Sequence, residues 1–361
     1  MSLRGSVPFN RKYLPLVATS VVFLVVFVAA GVMYDGFVTV NNFANLLTRG
    51  SFVGLCAVGM TFVIIAGGID LSVGSMVAFA STLLAWLTEI QGVPAPLAVL
   101  FVLALGTLFG LAQGAMIHFY KAPAFIVTLA GMFLLRGLAF VVAPNQAALG
   151  VANPTLVRLA EFELPIGFDA NLRFGALALV AAVIVAALVL GRTRFGRNVY
   201  AVGGSEQSVL LMGLPLARTK LGIYAISGFC SALAGLALVV ETQSGNPSEA
   251  VGYELEAIAA VVIGGTLLTG GYGFVAGTLV GVLIRQVIYT IIEYNGRLTV
   301  DWAMIVIGAL LLVFILLQRF FSQGTAAGRA TARRLTAPPP RLAPVPPPPA
   351  RSPARIGAED P

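Results

Sequence analysis

Between Phe52 and Leu87 the chain is apolar except for one interruption, Gly67-Gly68-Ile69-Asp70-Leu71-Ser72-Val73-Gly74-Ser75. The whole run is too long for a single bilayer crossing, since about 20 apolar residues already cover ~30 Å of hydrocarbon. The interruption is therefore a break between two spans or an unwound section at membrane depth. Irregular backbone cannot face lipid, so the break is buried in protein, lines a watery cavity or sits at the interface. Broken helices of this composition are where transport proteins place moving or solute-facing parts. Gly67, Gly68, Asp70, Ser72 and Gly74 are thus pathway or gating candidates. An Asp at the bilayer centre costs about 2.5–3.5 kcal/mol, so Asp70 needs a partner or a purpose. Capping the helix that starts near Ser72 is one, and contact with substrate is the other.

The rest of the chain repeats the membrane signal. With 58% hydrophobic and 10% charged residues, against about 25% charged in soluble domains, it reads as an all-α polytopic membrane protein. Ten spans are expected: 14–33, 51–69, 73–88, 96–117, 122–142, 174–191, 221–240, a short 257–268, 274–292 and 302–317. An uncleaved first helix fits better than a signal peptide, whose apolar core is shorter.

Charge gives the orientation. With the amino terminus cytoplasmic, Arg4, Arg11, Lys12, Lys121, Arg192, Arg194, Arg197, Arg218, Lys220, Arg319 and six tail arginines lie inside. Only Arg49, Arg158, Arg173 and Arg297 fall outside. Both termini are then cytoplasmic. The formal net charge of +7 is a topology signal, not a nucleic-acid footprint. The acids run the other way, Glu241, Glu249, Glu254 and Glu256 among them, so the outer face would be acidic. Three segments follow: residues 1–13 as a cytoplasmic start, 14–319 as the membrane domain, and 320–361 as an Ala/Arg/Pro-rich tail expected to be disordered. Arg136 and Arg285 lie within spans, Arg136 calling for snorkelling or an acidic partner and Arg285 for an interface or cavity.

A second break echoes the first. Gly264-Gly265-Thr266-Leu267-Leu268-Thr269-Gly270-Gly271 repeats the Gly-Gly-x-x-Leu-Ser/Thr-x-Gly pattern of Gly67–Gly74. Gly264, Gly265, Thr269 and Gly271 join the pathway candidates, with small-residue helix packing as the plainer reading. The loop 192–220 carries a third signal. Ser205 can cap a short helix Glu206–Met212, Glu206 suits its dipole, Gly213 can end it and Pro215 prevents its resumption. Val209, Leu210, Leu211 and Met212 then form an apolar cluster facing water, as expected of a docking surface for a partner's groove.

Enzyme chemistry finds no support. There is no phosphate loop for ATP and no zincin motif, and the single His118 stands at a span end without a nucleophile beside it. Cys56 and Cys230 lie in apolar runs and offer neither a disulfide framework nor metal spacing.

With these segments assembled, the chain resembles the permease subunits of bacterial ABC importers for monosaccharides, the ribose-transport type. The resemblance runs from Met1 to about Arg319. It rests on Met60–Ser75 (MTFVIIAGGIDLSVGS), Pro123–Gly137 (PAFIVTLAGMFLLRG), Arg192–Gly204 (RTRFGRNVYAVGG), Ile258–Gly273 (IAAVVIGGTLLTGGYG) and Leu211-Met212-Gly213. The wording at Leu129–Phe133 and Leu211–Gly213 is most similar to a galactofuranose-importer permease; ribose, xylose or another pentose, hexose or autoinducer-type sugar are the alternatives. Gln113 departs from a Gly-x-x-Asn-Gly pattern of many relatives. The resemblance implies a bacterial inner-membrane subunit with no cofactor of its own. ATP and Mg would sit on a cassette ATPase that docks on Ser205, Glu206, Val209, Leu210, Leu211, Met212 and Gly213. A periplasmic sugar-binding protein and a second permease, related or identical, complete the expected assembly. The rival class is an ion-coupled secondary transporter, for which Asp70 is the one plausible mid-membrane carboxylate.

Overall fold

Apolar segments removed from water must close their backbone hydrogen bonds internally, and this chain does so as helices. The computed structural model describes residues 14–143, 148–167, 170–299 and 301–316. The described residues belong to one compact unit, Met1–Leu316; the unit that begins at Leu317 lies outside them, as do residues 1–13. The expectations of an amino-terminal segment and a disordered tail fall there.

The long helices are α1 (Leu14–Met33), α2 (Val40–Ile65), α3 (Val73–Ala85, continued by a π-turn over Trp86–Ile90), α4 (Ala95–Phe119) and α5 (Ala124–Val142). After a two-residue strand β1 (Leu149–Gly150) come α6 (Pro154–Glu161), strands β2 (Glu163–Gly167) and β3 (Ala170–Arg173), and α7 (Phe174–Arg192). The connection that follows holds α8 (Arg194–Gly204) and α9 (Glu206–Leu211). Then come α10 (Leu216–Thr242), β4 (Ser244–Gly245), α11 (Tyr253–Ile263), α12 (Val275–Asn295) and α13 (Asp301–Leu316). Eight of these are long and apolar enough to cross a membrane.

The other two expected spans correspond to α13 and α11, which are shorter. At 11 residues α11 covers only about 16 Å. It also starts four residues before the expected 257, because Glu254 and Glu256 masked its first turn. The second span starts earlier as well. Thr39 Oγ1 accepts from Asn42 N at 3.1 Å, and α2 begins at Val40 although its first turns carry Asn41, Asn42, Asn45 and Arg49.

The helices α2 and α10 are buried along most of their length, while α1, α4, α5 and α7 show one face outward. Lipid offers no hydrophobic drive between helices, so close approach must come from small residues. Gly106, Gly110 and Gly114 lie one turn apart on α4, where a methyl would strike the α10 backbone at Gly228, Tyr224 and Leu221. One end of the bundle carries α8, α9 and the last residues of α2. The strand pairs β1–β4 and β2–β3 cap the opposite end.

Candidate functional site

Both glycine-rich breaks are built from the same helix ending. At the first, Gly67 N donates to Ile64 O and Gly68 N to Val63 O, each at 2.9 Å, with Gly67 at φ +81°. At the second, Gly265 N donates to Val262 O at 2.9 Å and Thr266 N to Val261 O at 3.2 Å, with Gly265 at φ +88°. This is the Schellman arrangement, in which a left-handed residue closes the last carbonyls, and only glycine enters that region without cost. The structural match sets Gly67 against Gly265, one residue out of step with the echo in the sequence, which pairs Gly67 with Gly264.

The two breaks meet. Gly271 N donates to Ile65 O at 2.8 Å, joining the second break to the end of α2. A third segment, the end of α8, closes on both. A Cβ on Gly270 would stand 3.0 Å from Gly67 Cα and 3.1 Å from Gly203 Cα, and one on Gly203 would collide with Ile65 O and Gly271 N. Tyr200 of α8 adds a hydrogen bond from its hydroxyl to Gly273 O at 2.8 Å. Cavities flank this junction: one of about 620 Å³ beside Arg197, Tyr200 and Gly271, and one of about 320 Å³ beside Gly67, Gly68, Glu206 and Lys220. Gly203→Ala forces three backbones apart. We expect it to cost about 1–3 kcal/mol, as overpacking does, measured by heat inactivation in detergent. Wild-type resistance would mean that the segments part freely.

Asp70 does not line an open route. It is 1% exposed, and its carboxylate accepts from Ser72 N at 3.0 Å, Ser72 Oγ at 2.6 Å and Ser227 Oγ of α10 at 2.7 Å. It thus holds the residue that caps α3, rather than the free N–H groups inside the helix, and ties the break to the middle of α10. While donating to Asp70, the Ser72 hydroxyl accepts from Gln113 Nε2 of α4 at 3.1 Å. Each donor aimed at the buried carboxylate lowers the cost of its charge. Gly74 follows one turn on, packed against Ala250 and Glu254.

The predicted cap on α9 is present. Ser205 Oγ accepts from Ser208 N at 3.2 Å, and Gly213 ends the helix at φ +68°, with Leu214 N returning to Val209 O at 3.1 Å. The helix ends at Leu211, with Met212 as its cap. Of the expected apolar cluster, Val209 turns inward against Val202 and Leu216, while Leu210, Leu211 and Met212 face outward, Leu211 at 90% exposure. Lys220 Nζ holds both carboxylate oxygens of Glu206 at 2.8 Å and fastens α9 to α10.

Sequence reasoning missed α8. Its signals are an N-cap (Gly196 N to Thr193 Oγ1, 3.0 Å) and an inward face of Gly196, Val199 and Val202. It also placed Glu256 in an outer loop. The structure sets Glu256 in the first turn of α11, ion-paired with Arg285 in the middle of α12 and accepting from Tyr289 OH at 2.7 Å. Arg285 stacks 4.4 Å over the Tyr289 ring. Its charge kept Glu256 out of the expected span 257–268, whereas Arg285 was read inside 274–292; paired, both lie within the bundle. Arg136 makes no ion pair among the described residues, although Glu254 is near enough to feel its charge. Its Nη1 donates to Pro247 O and Glu249 O, both at 2.7 Å.

Comparison with known proteins bears on this arrangement. A family model described as "Branched-chain amino acid transport system / permease component" matches residues 42–315. The inner membrane ABC transporter permease protein YjfF of Escherichia coli (strain K12) is 42% identical over 309 residues, which is 86% of this chain and 93% of that protein. The fructose import permease protein FruG of Bifidobacterium longum (strain NCC 2705) is 34% identical, covering 86% of this chain and 92% of its own. The ribose import permease protein RbsC of Bacillus subtilis (strain 168) is 36% identical, covering 81% and 89%. No solved structure matches the chain.

Proposed function

We propose, from the premise that this chain belongs to the branched-chain amino acid transport system / permease component family, that it carries a monosaccharide across the membrane as one subunit of an ATP-driven importer. The chain is a multi-pass permease of the inner membrane and of the ABC sugar-importer type. The family description speaks of amino acids, whereas FruG and RbsC are named for fructose and ribose. The named relatives align along most of their length, so the sugar reading takes precedence. Within it we favour galactofuranose, on the wording of Leu129–Phe133 and Leu211–Gly213, over ribose, fructose or xylose.

One observation carries the mechanism. The exposed apolar turn Leu210-Leu211-Met212 lies on α9 and its cap, and the neighbouring α8 abuts both glycine breaks through close backbone contacts at Gly203 and the Tyr200 hydroxyl. A partner that binds α9 therefore pushes on α8, and through it on the ends of α2 and α11. In this reading the α8–α9 end is cytoplasmic, as are both termini. A cassette ATPase holding ATP and Mg binds there, and a periplasmic sugar-binding protein delivers substrate at the strand end. A second permease, related or identical, completes the pathway. Gly67, Gly68, Gly264, Gly265, Thr269 and Gly271 then act at the moving joint, with Asp70, Ser72 and Gly74 anchoring α3 beside it. The ion-coupled alternative asks Asp70 to exchange protons with solvent, which its burial and three donors oppose.

The test is sugar uptake in cells that express the permease with its binding protein, with and without the ATPase. Accumulation should require the ATPase, and galactofuranose should compete better than ribose. Uptake that persists without the ATPase and collapses with the proton gradient would overturn the reading.

A further inference from the structure

The polar groups that most need explaining lie away from the glycine junction, on the segment between β4 and α11. Its depth can be read from packing. Asp70 is hydrogen-bonded to Ser227, near the middle of α10, and Gly74 stands one turn further along α3. Gly245 packs on Ser81, Thr82 and Ala85, close to the far end of α3. Five residues later Ala250 has reached Gly74, where a methyl would lie 2.6 Å from Ala250 O. The chain therefore dives from the strand end toward the middle of the bundle, and α11 starts there.

This dive is irregular backbone at mid-membrane depth. Ala250 is held at φ +57°, a region that costs a residue with a side chain of order 1 kcal/mol and persists only where the surroundings impose it. Arg136 imposes it here, gripping the carbonyls of Pro247 and Glu249 from α5. Yet the segment is not covered by the rest of this chain. Ser248 and Glu249 are exposed, and so are Val251 at 69% and Leu255 at 63%. Glu254 lies beside them, its Oε2 packed on Gly74 without a hydrogen-bond partner among the described residues. Open backbone, a hydroxyl and the Glu249 carboxylate at this depth cannot face hydrocarbon, and neither can the half-buried Glu254 beside them.

We propose that Ser248, Val251 and Glu254 line the aqueous route of a polyhydroxylated solute, and that Arg136 is the positioning residue that holds the segment open to it. The chemistry suits a sugar, which presents hydroxyls to Ser248 and the Glu254 carboxylate and C–H faces to Val251 and Leu255. The proposal rests on the sugar-permease reading for its solute, but its water-filled wall can be tested without one.

Val251→Cys, in the permease assembled with its ATPase in membrane vesicles, is treated with a charged, membrane-impermeant methanethiosulfonate. The native Cys56 and Cys230 are buried and give a low background. Thiols react as thiolates, which form in water and not in lipid, so Val251→Cys should label at least about tenfold faster than a lipid-facing control, Leu100→Cys. Leu255→Cys reads the same face should Val251→Cys fail to accumulate. Labelling no faster than the control would place the segment against lipid. No labelling by either the charged reagent or neutral N-ethylmaleimide would place it in a contact with another subunit. Either result overturns the proposal while leaving the ATP dependence of uptake untouched. As a second measurement, Glu254→Gln should raise the KM for uptake several-fold with ATPase copurification unchanged; an unaltered KM would remove Glu254 from the wall.

Discussion

Glu256→Ala is expected to destabilise the bundle by about 3–5 kcal/mol, the cost of leaving one member of a buried ion pair behind. Arg285 sits in the middle of α12 with its side chain only 9% exposed, and Glu256 is its sole acidic partner among the described residues. Gln286 Oε1 at 3.2 Å and the Tyr289 ring at 4.4 Å offset only part of its charge. Removing the carboxylate strands the guanidinium and also takes the acceptor from Tyr289 OH. Replacing both members by apolar residues of similar volume is a different matter and is often neutral. Glu256→Leu combined with Arg285→Met should therefore recover most of the loss. Unfolding in detergent measures all three proteins. If Glu256→Ala stays within about 1 kcal/mol of the parent, or the double variant is no better than the single one, the pair does not carry α11 on α12.

Leu211→Asp should weaken ATPase capture at least about 100-fold, or about 2.7 kcal/mol, with no change in the permease's own stability. The side chain is 90% exposed, so a charge there disturbs nothing within this chain. Docked in a partner's apolar groove, the same carboxylate would be buried unpaired. Val209 supplies the contrast. It is buried with Val202 and Leu216, so Val209→Asp should damage the permease itself. Copurification of the ATPase at wild-type yield with Leu211→Asp would remove α9 from the docking surface.

Most of the fold was legible because it rests on runs of about 20 apolar residues, which a bilayer admits only as helices. The cap at Ser205 and the end at Gly213 were equally plain, since local chemistry alone sets them. Asp70 was legible as a residue in need of partners, but Ser227 lies 157 positions away and nothing in the order of residues joins them. Glu256 failed for a sharper reason. Its charge viewed alone looks like an interruption, and only the fold pairs it with Arg285, a charge already read within a span. The two glycine breaks were read as similar, though their shared helix ending is offset by one residue from the letters that match. That α8 touches both was invisible, because glycines in contact leave no complementary side chains to notice.

Where Gly203 of α8 meets the end of α2 and the Gly270-Gly271 turn, the approaching atoms are backbone atoms, the same in every protein. The faces that would recognise a motor and a cargo, Leu210–Met212 and the segment around Val251, are built from side chains and lie apart from it. Each can drift to suit a new partner or solute without retuning the link between them, as long as the glycines stay. The joint is a standard fitting between two parts free to diversify.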